Sequence, residues 1–326
     1  MPDTKNRQVP YRLEALDSDG IAAIHAATVE VLAETGVVYE ETEALDLLSS
    51  AGAVIDDEGV VKIPEALLEQ AIDSAPSAML IYSREGEEVI RLERGYTYCG
   101  TGSDCPYVID SQTLARRRTT KADVEIFARL GDALPNIDFI LSMGLASDVP
   151  SETADLHHFQ AMICNTSKPL FFTAVSHHNL TDIIHLAREI AGGAQALEER
   201  PFLAHFAMPS PPLRHSKIAV QNLLYCARHR VPVVYASGTS MGGLGPMSIP
   251  GGTVSANCDV LSGLVVHQLA NPGAPFIYGV GVSLMDMFTT IDSYGAPEHH
   301  LADVVNAQLA DSYGLPTWGY AGQYRL

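Results

Sequence analysis

Basic residues are scarce in this sequence: 20 lysines and arginines stand against 39 aspartates and glutamates, a net charge of −19 over 326 residues. A surface of that sign repels phosphate backbones and excludes nucleic acid as the partner. The acidity serves solubility and also suits a cationic substrate or partner, and charge by itself leaves both open. Cysteines are few, five in all (99, 105, 164, 226 and 258), scattered and without a CxxC pair. A disulfide framework and a structural zinc site are therefore not expected, and a reducing, cytoplasmic setting fits. No run of 18 uncharged apolar residues occurs, so no membrane span is expected. Met1–Gln8 lacks the apolar core of a signal peptide. Two catalytic signatures are missing as well. There is no GxSxG elbow, and Gly242–Pro246 lacks the Lys-Ser/Thr of a phosphate-binding loop while its proline removes an amide donor.

What the chain does have is apolar residue, 47% of it, enough to bury a large core. Residues 1 to about 120 mix helix and hairpin signals. Ser18–Thr35 reads as a helix with Ile21, Ile24, Val29 and Leu32 on one face and a cap at Ser18. Pro64–Ile72 reads as a short helix, and Ala78–Val89, Tyr96–Cys99 and Tyr107–Asp110 as strands around turns at Glu85-Gly86 and Arg94-Gly95. An amphipathic helix, Asp123–Leu134, follows, and from Asp138 onward a different rhythm begins. Apolar runs at Phe139–Met143, Leu170–Val175, Phe202–Met208, Val231–Ala236, Pro275–Val282 and Leu315–Tyr320 alternate with helical patterns at Thr153–Cys164, Leu180–Ile190, His215–Arg228, Thr253–Leu269 and Pro297–Tyr313. Alternation of this kind means βαβ units and a parallel sheet buried on both faces. The expected fold is α/β: a TIM (βα)8-type barrel, with residues 1–120 as N-terminal helices and a hairpin packed on it and residues 121–326 as its first six units. The rival, a doubly wound sheet, calls for a Gly-rich turn after the first strand, and Met143–Ser147 is not one. Six strands leave a closed barrel two short, on the order of 70 residues at this spacing. The expectation is that the last units lie outside this chain, which is a fragment or is completed by another chain.

In such a barrel the chemistry sits at the C-terminal strand ends. The strand ends offer Ser147 and Asp148; Ser176 to Asn179; His205 and Met208–Ser210; Ser237–Met241; Ser283 and Asp286–Phe288; and Trp318 with Tyr320. His177-His178 on an extended chain point to opposite sides, which argues against a metal site. His157-His158 and His299-His300 lie in helical patterns and read as helix-face residues, with His299 one turn from Pro297-Glu298. Cys226 and Cys258 read as buried thiols. The mouth that remains is aromatic, Met- and hydroxyl-rich with few basic groups. Tyr107, Phe206, Tyr278, Phe288, Trp318 and Tyr320 suit either core packing or an alkylammonium ion held against ring faces.

A set of short segments then becomes specific: Gly100–Asp110 (GTGSDCPYVID), Arg117–Asp123 (RRTTKAD), Asp132–Asp138 (DALPNID), Ser210–Ser216 (SPPLRHS), Gly242–Gly251 (GGLGPMSIPG), Pro272–Pro275, Met285–Met287, Gly295–Glu298 and Tyr313–Pro316 (YGLP). In this order and spacing they resemble the trimethylamine–corrinoid methyltransferase family, over roughly Ala15 to Gly322. The resemblance implies a TIM-barrel enzyme that moves a methyl group from a methylated amine to cobalt(I) of a separate corrinoid protein. It implies that this chain binds no cofactor itself, the corrinoid (cobalamin) arriving on its partner. This sequence has only standard residues, as do the members without pyrrolysine that act on quaternary amines. A homo-oligomer is expected too. The substrate-binding residues expected are Asp104, Tyr107, His205, Phe206, Ser240, Asp286, Phe288, Trp318 and Tyr320, with no metal; no catalytic residue is assigned.

Two departures from the family pattern stand out. The chain runs Gln323–Leu326 where the family continues, and Phe288 stands where members often carry an arginine suited to clamping a carboxylate. Two other readings compete. One is a truncated, non-catalytic member that binds a methylamine or the corrinoid partner without turnover. The other is an unrelated barrel lyase or aldolase, which needs a strand-end lysine or metal carboxylates. Lys168 precedes its strand and Lys217 lies in a helix.

Overall fold

The computed structural model describes residues 13–320. They form two compact units, one over residues 79–206 and one whose described parts are residues 13–78 and 207–320.

The second unit opens with α1 (Ser18–Glu30), capped not by Ser18 but by Asp17, whose carboxylate accepts the Gly20 N–H at 2.9 Å. A capping oxygen there satisfies one of the free N–H groups of the first turn. A π turn over Val31–Thr35 ends at Gly36, whose φ is 83°. A Cβ there would lie 2.7 Å from the Val61 carbonyl oxygen, so the turn requires glycine. β1 (Val37–Tyr39), α2 (Thr42–Ser50), β2 (Val54–Ile55), β3 (Val60–Lys62) and α3 (Glu65–Ser74) follow, the strands pairing antiparallel in the order β1-β3-β2. These strands are two or three residues long, too short for alternation to reveal them.

The other unit begins with the antiparallel pair β4 (Met79–Tyr82) and β5 (Glu88–Leu92). Tyr96–Cys99, expected as a strand, forms none. β6 (Tyr107–Ile109) and β7 (Arg116–Arg118) make a hairpin. α4 (Lys121–Ala133) starts two residues before the expected position, set by a capping box of Thr120 with Asp123. α5 (Ala154–Ile163), β8 (Leu170–Phe172), α6 (His177–Ala191), α7 (Ala194–Glu199) and β9 (Leu203–Ala207) complete it. Phe139–Met143 supplies isolated bridges rather than a full strand, among them Ile140 to Leu170 in parallel. β8 and β9 are parallel, with Leu170 opposite Leu203. α6 begins at His177 because Ser176 caps it, its hydroxyl accepting from Asn179 N–H. His177 and His178 are therefore helical, and the extended-chain argument about their rings does not apply.

The second unit resumes with β10 (Arg214–His215), α8 (Lys217–Arg228), β11 (Val233–Met241), α9 (Ile249–Ala270), β12 (Phe276–Asp286), β13 (Ile291–Asp292), α10 (Pro297–Ser312) and β14 (Thr317–Trp318). β11 and β12 are parallel over nine residues, Val233 opposite Phe276 through Met241 opposite Leu284. β14 is parallel to β12, with Thr317 opposite Tyr278. α9 is buried on nearly all its faces over Gly252–Gln268, polar residues such as Asn257, Asp259 and His267 included, where the helix packs on β11 and β12. In each unit the strands joined by helices pair in parallel and in sequence order, β8 with β9 in one and β11, β12 and β14 in the other, while the short hairpins beside them are antiparallel; α/β architecture with βαβ units is the observed fold. Among the described residues no helix is long and apolar enough to cross a membrane.

Candidate active site

The nine expected site residues divide between the units. Asp104, Tyr107, His205 and Phe206 belong to the unit of residues 79–206. Asp104 is exposed, holds φ +62° and accepts the Ser103 hydroxyl at 3.1 Å; the atoms packed about its carboxyl raise its pKa. Tyr107 is exposed on β6, but one of its faces is already covered by the Arg116 guanidinium, 3.8 Å from the ring centroid. His205 is buried at 1% exposure, with Nδ1 3.2 Å from the Phe172 carbonyl. Burial pushes its imidazole down to about 4, so the ring is neutral at physiological pH. Phe206 is buried beside it in sequence. This unit also holds a polar pair with no strong sequence signal. Asp155 accepts the Val175 N–H at 2.8 Å and the Asn179 amide at 2.7 Å, and His158 Nε2 accepts the Ala146 N–H at 2.9 Å.

Ser240, Asp286, Phe288, Trp318 and Tyr320 belong to the second unit. Ser240 is the penultimate residue of β11 and donates to Asp292 Oδ1 at 2.5 Å; Ser283 on β12 donates to the same oxygen at 3.0 Å. Asp292, on the two-residue β13, was not anticipated. It gathers the ends of both long strands because β13 folds back antiparallel on β12, with Met285 opposite Asp292. Asp286 closes β12, and its Oδ1 accepts the Phe288 N–H at 2.8 Å, which holds its carboxyl below the usual range. Phe288 is 95% exposed. Leu244, Met247 and Met287 are exposed beyond the same strand ends, and the Met247 and Met287 sulfurs lie against Gly242. Trp318 lies on β14 opposite Gly279. Tyr320 lays its ring on Gly281, where a Cβ would come 2.4 Å from Cε2.

Behind these strand ends lies a second polar layer. Asp259 of α9 is fully buried; it accepts the Leu213 N–H at 2.6 Å and the Ser237 hydroxyl at 2.8 Å, and desolvation raises its carboxyl to about 6. His215 bridges the Tyr235 hydroxyl at 2.6 Å and the Ser262 hydroxyl at 2.8 Å and stacks on Tyr39. His299, expected on a helix face, is instead 1% exposed and turned onto β12, its Nδ1 2.9 Å from the Val282 carbonyl. Among the described residues no group of three His, Cys, Asp or Glu side chains is arranged to hold a metal ion.

The second unit thus presents a parallel α/β sheet whose long strands end in hydroxyl, carboxylate, thioether and aromatic side chains, the arrangement of an α/β enzyme that binds a small molecule at its strand ends. Residues 2–324 match the sequence model of the trimethylamine methyltransferase (MTTB) family, and the chain belongs to that family. It is 33% identical over 316 residues to trimethylamine methyltransferase MttB of Desulfitobacterium hafniense, covering 96% of this chain and 63% of that protein. It is 29% identical over 311 residues to a glycine betaine methyltransferase of the same species, covering 95% of this chain and 64% of that protein. Among solved structures it resembles the Methanosarcina barkeri monomethylamine methyltransferase MtmB, with a TM-score of 0.58 at 11% identity, over 92% of this chain and 60% of that one, a likeness of fold. The chain spans a little under two thirds of the length of the curated relatives it matches.

Proposed function

We propose that this chain belongs to a cytoplasmic enzyme, built on a βα barrel, that transfers a methyl group from a methylated amine, quaternary in kind, to the cobalt(I) of a corrinoid carried by a separate protein. The observation that carries the reading is family membership over residues 2–324, among relatives named for trimethylamine and for glycine betaine. The site chemistry supports it. The ends of β11, β12 and β14 and the segment from Met287 to Ala296 carry no lysine or arginine, so these segments set no cation of their own against an ammonium ion. Asp286 and Asp292 supply negative charge there, and Tyr320 supplies a ring face. The exposed apolar side chains of Leu244, Met247, Met287 and Phe288 fit a rim against which a partner presents a large, largely apolar macrocycle. Cobalt supplies the nucleophile and receives the methyl group. The work left to this chain is to hold the amine with one N–CH3 bond in line and to keep water out, which is catalysis by positioning. A quaternary amine leaves neutral, so the reaction needs no general acid from the protein.

The test supplies the chain with cob(I)alamin and, in turn, trimethylamine, glycine betaine, proline betaine and carnitine. The expected result is amine-dependent formation of methylcobalamin, followed by its absorption spectrum. Absence of methyl transfer from all four would refute the proposal, and transfer from trimethylamine alone, a tertiary amine, would refute its quaternary part.

A further inference from the structure

On the edge away from β11, β12 loses its backbone partner where β14 ends and regains one only at Met285, opposite Asp292 of β13. Beyond Gly279, which pairs with Trp318, side chains of α10 meet its carbonyl groups instead. Asn306 Nδ2 donates to the Val280 oxygen at 3.1 Å, and His299 Nδ1 lies 2.9 Å from the Val282 oxygen. A carbonyl only accepts, so Nδ1 carries the proton in that contact. The nitrogen donors of both side chains are thereby turned onto β12. Among the described residues their acceptor ends, His299 Nε2 and Asn306 Oδ1, find no hydrogen-bond partner, on residues 1% and 3% exposed. Asp303 stands between them on the same helical stripe, at i+4 and i−3. Its Oδ1 is also buried without a partner, and its Oδ2 is 3.6 Å from His299 Nε2. Protonating His299 would leave the two buried oxygens, Asp303 Oδ1 and Asn306 Oδ1, as they are.

Three acceptors that meet no donor among the described residues are costly to bury, and a carboxylate more so. Two rings adjoin them. Tyr294 stands edge-on to His299 at 5.4 Å between centroids, and Tyr320 lies on Gly281, its phenol pushed up chiefly by burial and further by Tyr294 and Asp303 nearby. We propose that this face of α10, with the rings of Tyr294 and Tyr320, binds the ammonium head of the amine, and that Asp303 is its carboxylate partner. The inference rests on the methylated-amine reading and gives that reading a subsite. A methylated ammonium carries its positive charge on N-methyl hydrogens, which approach oxygen and nitrogen acceptors as weak donors and approach ring faces as a cation. Asp286 is the weaker candidate, since its Oδ1 is taken by the amides of Phe288 and Thr289 at an exposed turn.

The chain's single tryptophan, Trp318, lies two residues before Tyr320 and reports on the site. Its fluorescence is titrated with tetramethylammonium, with trimethylammonium and with tert-butanol, a neutral molecule of similar shape. Saturable changes are expected for the two cations and none for the alcohol. Asp303→Asn, which keeps the side-chain shape, should weaken cation binding at least tenfold, as should Tyr320→Leu, with melting temperatures confirming that both variants fold. Wild-type cation affinity in a folded Asp303→Asn overturns the proposal, as does absence of any saturable response, which would mean that ordered water alone fills the site. Neither measurement involves cobalt. Methyl transfer that survives in Asp303→Asn with unaltered KM would overturn the subsite and leave the methyltransferase reading standing; cation binding lost in Asp303→Asn, in a protein that transfers no methyl group, would do the reverse.

Discussion

Asp259 offers a direct measurement of how strongly the second unit opposes a buried charge. Its carboxyl is fully enclosed on α9, with two hydrogen bonds, from Leu213 N–H and the Ser237 hydroxyl, and no cationic partner among its contacts. Desolvation outweighs those bonds and lifts the carboxyl from 3.8 to about 6 in the folded protein. The folded state therefore holds the proton more tightly than the unfolded chain, and stability falls as pH rises from 3.8 towards 6, levelling off above that. Between pH 4.5 and pH 7.5 linkage makes this loss about 2 kcal/mol. Asn is nearly the same shape: its oxygen accepts from Leu213 N–H, and its amide donates to Ser237, whose hydroxyl turns towards Thr239, 3.2 Å away. Asp259→Asn removes the charge and keeps the packing. In urea unfolding at the two pH values, the stability of Asp259→Asn relative to wild type should rise by about 2 kcal/mol on going from pH 4.5 to 7.5. Every other titrating group is common to both proteins and cancels. A difference that does not change with pH would refute the claim that this carboxylate is held against its desolvation.

Three further outcomes follow from particular contacts. His205, His215 and His267 are buried and neutral, with values pushed down to about 4, 3 and 3; their contribution is complete above pH 6.5 and is lost as pH falls towards 4 and 3, so melting temperature should drop steeply across that acid range. Gly281→Ala places a Cβ 2.4 Å from the Tyr320 ring; it should shift Trp318 emission and weaken tetramethylammonium binding several-fold, and an unchanged spectrum and affinity would show that Tyr320 does not rest there. Arg117 pairs with Asp123 Oδ1 at 2.8 Å and Asp110 Oδ2 at 3.0 Å while partly exposed. Arg117→Ala should therefore cost only about 1 kcal/mol in a thermal melt, yet it should speed proteolytic cleavage in the hairpin from Tyr107 to Arg118, which that arginine ties to α4.

The sequence by itself determined the repeating architecture and the family. Runs such as Leu170–Val175 and Pro275–Val282 are apolar without alternation because both faces of a parallel strand are covered, so each is visible as a local pattern. Hence the helices at Ala154–Ile163, Lys217–Arg228 and Pro297–Ser312 fall within a few residues of expectation. Where a side-chain cap set a boundary the reading slipped. Ser176 starts α6 at His177, and Asp17 displaces Ser18, because both oxygens bind an N–H that composition does not reveal. β11 runs to Met241, five residues past its expected end, since Ser237, Thr239 and Ser240 look like loop residues until β12 pairs with them. The polar constellations were the least legible. Asp259 sits in an apolar helix, and its meeting with Ser237 and Leu213 spans 22 and 46 residues. Asp292 joins Ser240 from 52 residues away. In α10 the spacing of His299, Asp303 and Asn306 is printed in the sequence, but an i, i+4, i+7 stripe of polar residues ordinarily faces water. Only the end of β14, which leaves the Val280 and Val282 carbonyls to these side chains, turns that stripe inward.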